Sequence, residues 1–504
     1  MLVDSGDAGC AVFVHSRRDG YIGGQNRAEG SAAMTHVGEH AIVLGASLAG
    51  LAAAAALAER FDRVTIVERD TLPESGEYRR GIPQGRHVHI LLPAGLACLD
   101  ELLPGVVEDL RARDARVMDT TEVRFHIADG SLLLDDADLE FVGATRPLLE
   151  SVVCDRVRAL SGVRMLEDQD ARGLLTNPDR SRVTGVRVGS RHSNTEATLA
   201  GDLVVDATGR SSRSPQWVAD LGYPSPEEER LQVGIHYTTR LFRREPGDLE
   251  GCQNLVVTIP QDGRRGGVVL AVEGDRWIVT LVGLMGERPP ADLDGFVEYA
   301  GTLWVGDVHD LVAAAKPLGE ASTGGFPSYV RRRYAHLRRF PSRYVVTGDA
   351  VCSLNPVYAQ GMSVAIGEAR ALGQILDEHG VDRAGPQFFE RTKRTVDQAW
   401  TMSTGADLGY AAVEGSRPAR WRLINAYFNR LLRVAHHDPV VAKAFMEVNG
   451  MVAPPQHLMR PHIVSRVFTG GRRPTRKRGT VTRARQSGDT EGPHAGTDSA
   501  KLPQ

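Results

Sequence analysis

The stretch His40-Ala-Ile-Val-Leu44-Gly45-Ala-Ser47-Leu-Ala-Gly50-Leu-Ala-Ala-Ala-Ala-Ala-Leu-Ala-Glu-Arg60 decides the fold. Its first five residues form a short apolar run closing on glycine, the pattern of a buried parallel strand. The Ala/Leu-rich residues 48–60 predict a helix. Residues 64–67 are a second apolar run. Strand, glycine turn, helix and strand in this order open a doubly wound α/β fold. Gly45 permits the tight turn, and Gly50 lets the helix pack closely on the strand. Ser47 stands where the pattern has its middle glycine; it narrows the approach and offers a hydroxyl to a phosphate. The helix N-terminus presents free N–H groups and a positive dipole end to a pyrophosphate. Glu68 closes the second strand, 18 residues beyond Gly50. A carboxylate there accepts hydrogen bonds from adenosine ribose hydroxyls, and Arg69 is assigned to the same site.

Two further strands run into acidic turns. One is Leu203-Val-Val-Asp206-Ala-Thr-Gly209-Arg210. The other is Val345-Val-Thr-Gly348-Asp349-Ala350, followed by Asn355-Pro-Val-Tyr358-Ala-Gln-Gly361-Met362 and a helix. Gly361 and Met362 sit at that helix's N-terminus, a place suited to a phosphate or an electron-rich ring edge.

Working outward, residues 116–135 read as a hairpin with Asp129-Gly130 at its turn. Residues 231–285 hold apolar runs separated by Gly, Pro and Asp, which predict an antiparallel sheet inserted into the α/β framework. The runs at 233–242, 255–259 and 268–272 offer alternating apolar positions for a wall. Residues 361–450 are read as mainly helical, with amphipathic stretches around 384–405 and 417–434. The run Arg331-Arg332-Arg333…Arg338-Arg339, interleaved with Tyr329, Tyr334 and Phe340, is read as a solvated helix face with one or two arginines near cofactor phosphates. His436-His437-Asp438 lacks a third metal ligand at suitable spacing.

Residues 1–38 are polar and Gly-rich and are read as disordered, with Met34 an alternative start. The tail after Gly470 carries seven Lys/Arg between Arg472 and Arg485 and is read as a solvated extension. With 60 basic and 63 acidic residues, the 504-residue chain has no general attraction for nucleic acid or anionic membrane. No apolar run reaches the ~18–20 residues of a membrane helix. The five cysteines lie more than 40 residues apart, which suits reduced thiols in a cytoplasmic protein.

The three turns together resemble the single-component FAD-dependent monooxygenases of the para-hydroxybenzoate hydroxylase-like fold. The resemblance covers about residues 40 to 468. It implies that Gly45, Ser47, Gly50, Glu68 and Arg69 take the ADP part of FAD. It implies that Asp206 and Gly209 touch both FAD and NAD(P)H, and that Gly348 and Asp349 hold the ribityl or pyrophosphate part. A narrower resemblance is to actinobacterial polyether and polyketide epoxidases. It is carried by Arg80-Gly-Ile-Pro-Gln-Gly-Arg86-His87-Val-His89, Arg146-Pro-Leu-Leu-Glu150, Tyr237-Thr-Thr-Arg240-Leu-Phe242 and Asn355-Pro-Val-Tyr358. Ala359 departs from that pattern, where glycine is usual. The resemblance makes Arg146 an FAD contact and places Arg86, His87 and His89 near the flavin.

The implied organisation has FAD-binding segments at 39–115, 141–215 and 336–382. A hairpin at 116–140 and a sheet at 216–335 serve the substrate. A helical region spans 383–469, between the disordered N-terminal extension at 1–38 and the basic, polar tail at 470–504. The implied reaction is NAD(P)H- and O2-dependent oxygen insertion, as epoxidation or hydroxylation of a polyketide-like metabolite. The implied partners are a small apolar substrate and O2, with no nucleic acid and no membrane span, in a monomer or homodimer. A flavin halogenase is disfavoured because the WxWxIP motif is absent. A geranylgeranyl-reductase-like enzyme is disfavoured by the epoxidase-like blocks, and a non-enzymatic FAD-binding protein by the inserted sheet. A non-redox cyclase that keeps FAD as a structural element stays open.

Overall fold

The computed structural model describes residues 36–470, except 74–76, 80, 137, 191–194 and 418. The disorder expected of the two terminal extensions thus concerns segments almost wholly outside the described residues.

The core of the nucleotide-binding region is a five-stranded parallel sheet. Gly38–Leu44 pairs with Phe61–Val67 on one side and Leu203–Asp206 on the other. Val163–Leu166 and Tyr344–Val346 form its two edges. In chain order the strands lie 3-2-1-4-5, so the order reverses beside the first strand. In open α/β sheets ligands bind at such a reversal, beyond the carboxyl ends of the strands. Here the first, fourth and fifth strands are neighbours, and each runs into one of the three sequence motifs. Helix Leu48–Ala58 buries nearly all its residues. Its alanines let it fit between the sheet and helix Gln360–His379.

The inserted region is part of an eight-stranded sheet. Glu228–Arg243, Arg276–Gly283, Arg265–Val272 and Asn254–Val257 pair antiparallel in that spatial order. The alternation of a two-faced sheet is explicit. Trp277, Val279 and Leu281, with Val269 and Ala271, face helices Leu293–Ala300 and Asp307–Ala314 in one apolar cluster. The intervening Val268, Thr280 and Val282 face a cavity. Leu270, Val272 and Ile278 join a separate cluster with the C-terminal helices Ala419–Ala435, Pro439–Asn449 and Pro461–Thr469.

Two expectations are corrected. The 116–135 stretch is not one hairpin. Arg116–Asp119 pairs with Glu140–Gly143 in a separate three-stranded sheet. Only Val123–Ile127 and Gly130–Ser131 form a hairpin, with Ala128 and Asp129 at positive φ in its turn. Val123–Ile127 also pairs in parallel with Asn254–Val257, so the large sheet is not wholly antiparallel. The arginine run is not a solvated helix face either. Arg331 and Arg332 end strand Ser322–Arg332 and are buried. Arg331 pairs with Glu229 and Asp397, and Arg332 pairs with Glu228. Cross-strand and helix carboxylates therefore neutralise charges that the local sequence presents as unpaired.

Candidate functional site

The glycine turn is shaped by close backbone approach. Gly45 has φ +99°, and a Cβ there would stand 2.8 Å from the Ala207 carbonyl oxygen. A Cβ on Gly50 would stand 1.8 Å from the Gly45 carbonyl oxygen. Glu68 is buried behind this turn. Its Oε2 accepts from Ala46 N at 2.7 Å and its Oε1 from Asp70 N at 3.0 Å. Glu68 thus fastens the turn.

The hydroxyl of Ser47 donates to Glu150 Oε1 at 2.8 Å. Arg146, at the start of helix Arg146–Arg158, donates to the same oxygen through Nε and Nη2 at 2.9 and 2.7 Å. Arg146 Nη2 also reaches Ser47 Oγ at 3.1 Å. Arg79 Nη2 donates to Glu150 Oε2 at 2.7 Å and to the Ala46 carbonyl at 3.1 Å. Burial pushes the Glu150 carboxyl up, but Arg146 and Arg79 overcome it and hold the group below the usual carboxylate range.

The fourth-strand turn is organised by Asp206, which is fully buried. It accepts from Thr208 N at 2.8 Å, Thr208 Oγ1 at 2.6 Å and Ser212 Oγ at 2.6 Å, and also from Ser214 Oγ. The fifth-strand turn is held from behind by Glu368 on helix Gln360–His379. Its Oε2 accepts from Thr347 Oγ1 and Gly348 N, both at 2.7 Å. Glu368 Oε1 is buried without a partner. Burial lifts this carboxyl to about 7, against its two donors. Asp349 is open to the cavity yet recessed from bulk solvent. That recess raises its carboxyl pKa, while Arg146 and Arg210 pull it back.

These turns surround one cavity of about 2350 Å3. Ser47, Arg69, Arg146, Gly209, Asp349, Gly361 and Met362 line it, as do His87 and His89. Gly45, Gly50, Glu68, Asp206 and Gly348 stand behind that wall and shape it. Arg86 is not brought to the wall: it is exposed and stacks over Tyr78 at 4.5 Å. His87 Nδ1 lies 2.8 Å from Thr239 Oγ1, which meets Thr280 Oγ1 at 2.7 Å. Burial, aided by the Arg86 charge, draws His87 down to about 4. Burial and then Arg146 draw His89 down to about 3. Both rings are neutral at pH 7. His89 Nδ1 donates to the His87 carbonyl at 2.9 Å, which leaves Nε2 as an acceptor.

Sequence reasoning missed Asp407. At the end of helix Ala384–Asp407, it accepts from Tyr329 OH at 2.6 Å, Tyr358 OH at 2.7 Å and Asn355 Nδ2 at 3.0 Å. Burial raises its carboxyl pKa against these donors. The available signal was the buried helical face of Trp400, Ser403, Thr404 and Asp407, with a carboxylate at its end. His436 and His437 face backbone carbonyls of Ile127 and Gly470.

The cavity has two chemical ends. At one, helices Leu48–Ala58 and Gln360–His379 start without side-chain caps. Their N–H groups and the nearby arginines suit an anionic, elongated group. At the other, Val123, Phe125, Val256, Val268, Phe428 and Phe445 line an apolar chamber, with the Phe125 and Phe445 rings in edge contact at 6.1 Å. The residues present fit a dinucleotide at the first end and an apolar molecule at the second.

The model of the FAD-binding domain family matches residues 39–399, and the chain belongs to that family. It is 33% identical over 425 residues to Protein Rv3254 of Mycobacterium tuberculosis, covering 81% of this chain and 88% of that one. It is 27% identical to a kynurenine 3-monooxygenase of Salinispora arenicola, covering 81% and 93%. Among solved structures, the Diels-Alderase PyrE3 of pyrroindomycin biosynthesis shares the fold, with a TM-score of 0.55 and 18% identity. That match covers 82% of this chain and 80% of PyrE3. Among the described residues, no helix is long and apolar enough to cross a membrane.

Proposed function

We propose that the protein is an FAD-dependent monooxygenase that uses NAD(P)H and O2 to insert oxygen into a large apolar, polyketide-like molecule, by alkene epoxidation. The observation that carries this reading is the single cavity that joins two uncapped helix N-termini to an apolar chamber. The kynurenine 3-monooxygenase relative supports oxygen insertion. Bound FAD supplies electron transfer and, once reduced, reactivity toward O2.

The chain's own residues have distinct tasks in this reading. The N–H groups at Ser47–Ala49, with Arg146 and Arg69, hold the pyrophosphate side. Glu68, behind the cavity wall, keeps the turn in shape for the adenosine side. Asp349 and the start of helix Gln360–His379, at Gly361 and Met362, hold the ribityl and ring side. Gly209 leaves room for NAD(P)H to approach. Burial makes His87 and His89 weak bases, which suits alkene epoxidation, a reaction with no obligatory side-chain base. The inner sheet face and the C-terminal helices exclude water from the reacting centre.

The test supplies a candidate polyene, NADPH and 18O2 and reads the product mass. One labelled oxygen per product, with no turnover when NADPH is omitted, is expected. A second reading, a non-redox cyclase, is favoured by the fold shared with the Diels-Alderase. Unlabelled product formed equally well without NADPH and O2 would replace the monooxygenase with the cyclase.

A further inference from the structure

We propose that helices Ala419–Ala435 and Pro461–Thr469 form a face that attaches the protein peripherally to an anionic lipid surface, with the mouth of the apolar chamber opening on it. Only the notion of what enters there rests on the proposed apolar substrate; the lipid contact does not.

Helix Ala419–Ala435 covers the chamber through Trp421, Ile424, Asn425, Phe428 and Leu432. These recur at helical spacing and define its inner face. Two of its large apolar side chains also reach solvent, Ile424 from the edge of the inner face. Leu423 is 76% exposed and Ile424 57% exposed. From the neighbouring segment, Met459 is 58% and Phe468 61% exposed. Ile424 and Met459 also line the cavity, so the exposed group lies at its mouth.

The two helices hold this face in register. Tyr427 OH donates to the Leu458 carbonyl at 2.6 Å, and its ring lies 6.1 Å from that of Phe468. Arg430 Nε donates to the Val467 carbonyl at 2.8 Å, and its guanidinium covers the Phe468 ring. Singly exposed apolar residues are ordinary, whereas a joined group marks an interaction surface.

Charge selects the partner. The whole chain is slightly acidic, yet residues 415–437 and 448–471 contain no Asp or Glu. Arg422, Arg430, Arg433 and Arg460 are exposed there. The sequence then continues into the seven Lys/Arg of 472–485. The carboxylates that meet these segments are already engaged: Asp438 is fully buried against Arg466, and Glu447 pairs with His457. Large apolar side chains amid exposed arginines match the boundary between anionic headgroups and acyl chains. A nucleic acid backbone would satisfy the arginines but leave Leu423, Ile424 and Met459 in water.

The test is cosedimentation of the full chain with vesicles of equal phosphatidylglycerol and phosphatidylcholine, and with phosphatidylcholine alone. Partition at least about ten-fold stronger onto the anionic vesicles is expected, weakening as salt is raised. Leu423→Asp and Phe468→Asp, neither lining the cavity, should each lower partition about ten-fold. Arg422→Glu with Arg460→Glu tests the same face by charge, should an apolar replacement disturb folding. Failure of the wild type to sediment with anionic vesicles would overturn the proposal. So would binding unchanged by all these variants, which would assign the contact to residues 472–485. A wild-type dimer that Leu423→Asp dissociates would also overturn it, making the face a self-interface. No turnover is measured, so these outcomes are separate from those of the monooxygenase test.

Discussion

Ser47 Oγ donates to Glu150 Oε1 at 2.8 Å, across 103 residues of chain. The residue replacing the middle glycine of the turn is therefore tied down by a buried carboxylate. That carboxylate also holds Arg146 and Arg79, whose side chains are 9% and 7% exposed. The serine costs the turn some room, and the network around Glu150 fixes where its side chain goes.

Glu150→Ala leaves two buried guanidinium groups without their shared partner. Removing one member of a buried ion pair costs about 3–5 kcal/mol. A marked fall in melting temperature and in FAD affinity is expected. Ser47→Gly loses the hydroxyl's bonds to Glu150 and Arg146, about 1 kcal/mol each, and widens the approach. Its FAD affinity should match or exceed that of the wild type. Thermal melts and FAD titration of both variants decide this; an unchanged Glu150→Ala protein would refute the account.

Asp349 and Asp206 should respond differently to truncation. Asp206→Ala strands four donors around one turn and should lower the melting temperature by weakening the fold. Asp349 faces the cavity, so Asp349→Ala should leave the apoprotein stable and weaken FAD binding by about 1–3 kcal/mol. Equal FAD affinities for the two variants, after allowance for unfolded protein, would count against Asp349 as a direct contact.

The parallel sheet and the first turn were legible because their determinants are local. Residues 40–50 carry an apolar run, a glycine and an alanine-rich helix within one βα unit. The partners of the turns were not legible: Glu150 meets the first turn at Ser47 across 103 residues, and Glu368 meets the Gly348 turn across 20. A carboxylate on a buried helical face has the same spelling as one on a solvated face. Arg331 and Arg332 illustrate the same limit, since their neutralising carboxylates lie on another strand and a distant helix. Arg86 was placed by a motif whose three polar residues adjoin in sequence, but the chain turns Arg86 outward while His87 and His89 face in.

Glu368 should make stability depend on pH. Its folded pKa of about 7 lies above the usual 4.5, so the folded state binds the extra proton. That contribution is complete below pH ~4.5 and is lost as pH rises through about 7. The shift corresponds to roughly 3 kcal/mol. Glu368→Gln keeps an acceptor for Gly348 N and removes the titration. The difference in unfolding free energy between wild type and Glu368→Gln should therefore move in favour of the variant between pH 5 and 8, by about 3 kcal/mol or less. A difference independent of pH would show that Glu368 does not titrate there.

Asp407 gathers Tyr329, Tyr358 and Asn355 beside the 355–361 loop. Asp407→Asn presents an amide N–H2 to groups that themselves donate. A loss of about 1–3 kcal/mol is expected, more than for Tyr358→Phe, which removes a single bond. Denaturant unfolding of both variants measures it; equal losses would mean that the three donors are not held jointly.

The wall of the chamber gives the sharpest pair of expectations, because neighbouring valines point to opposite faces. Val268 faces the cavity, whereas Val269 is fully buried against the outer helices. A strand's side chains alternate with period two, so a slip of one residue would exchange their roles. Val268→Trp has open space to enter. It should preserve FAD content and melting temperature while raising KM for an extended apolar substrate at least about ten-fold, since it occupies the volume that a ligand would fill. Val269→Trp must force its ring into packed core, at a cost of about 1–3 kcal/mol or more. It should lower the melting temperature without a selective effect on KM. FAD content, thermal melting and steady-state kinetics on the two proteins separate the cases. If Val268→Trp destabilises as much as Val269→Trp, the inner sheet face is packed rather than open, and the chamber is not where substrate binds.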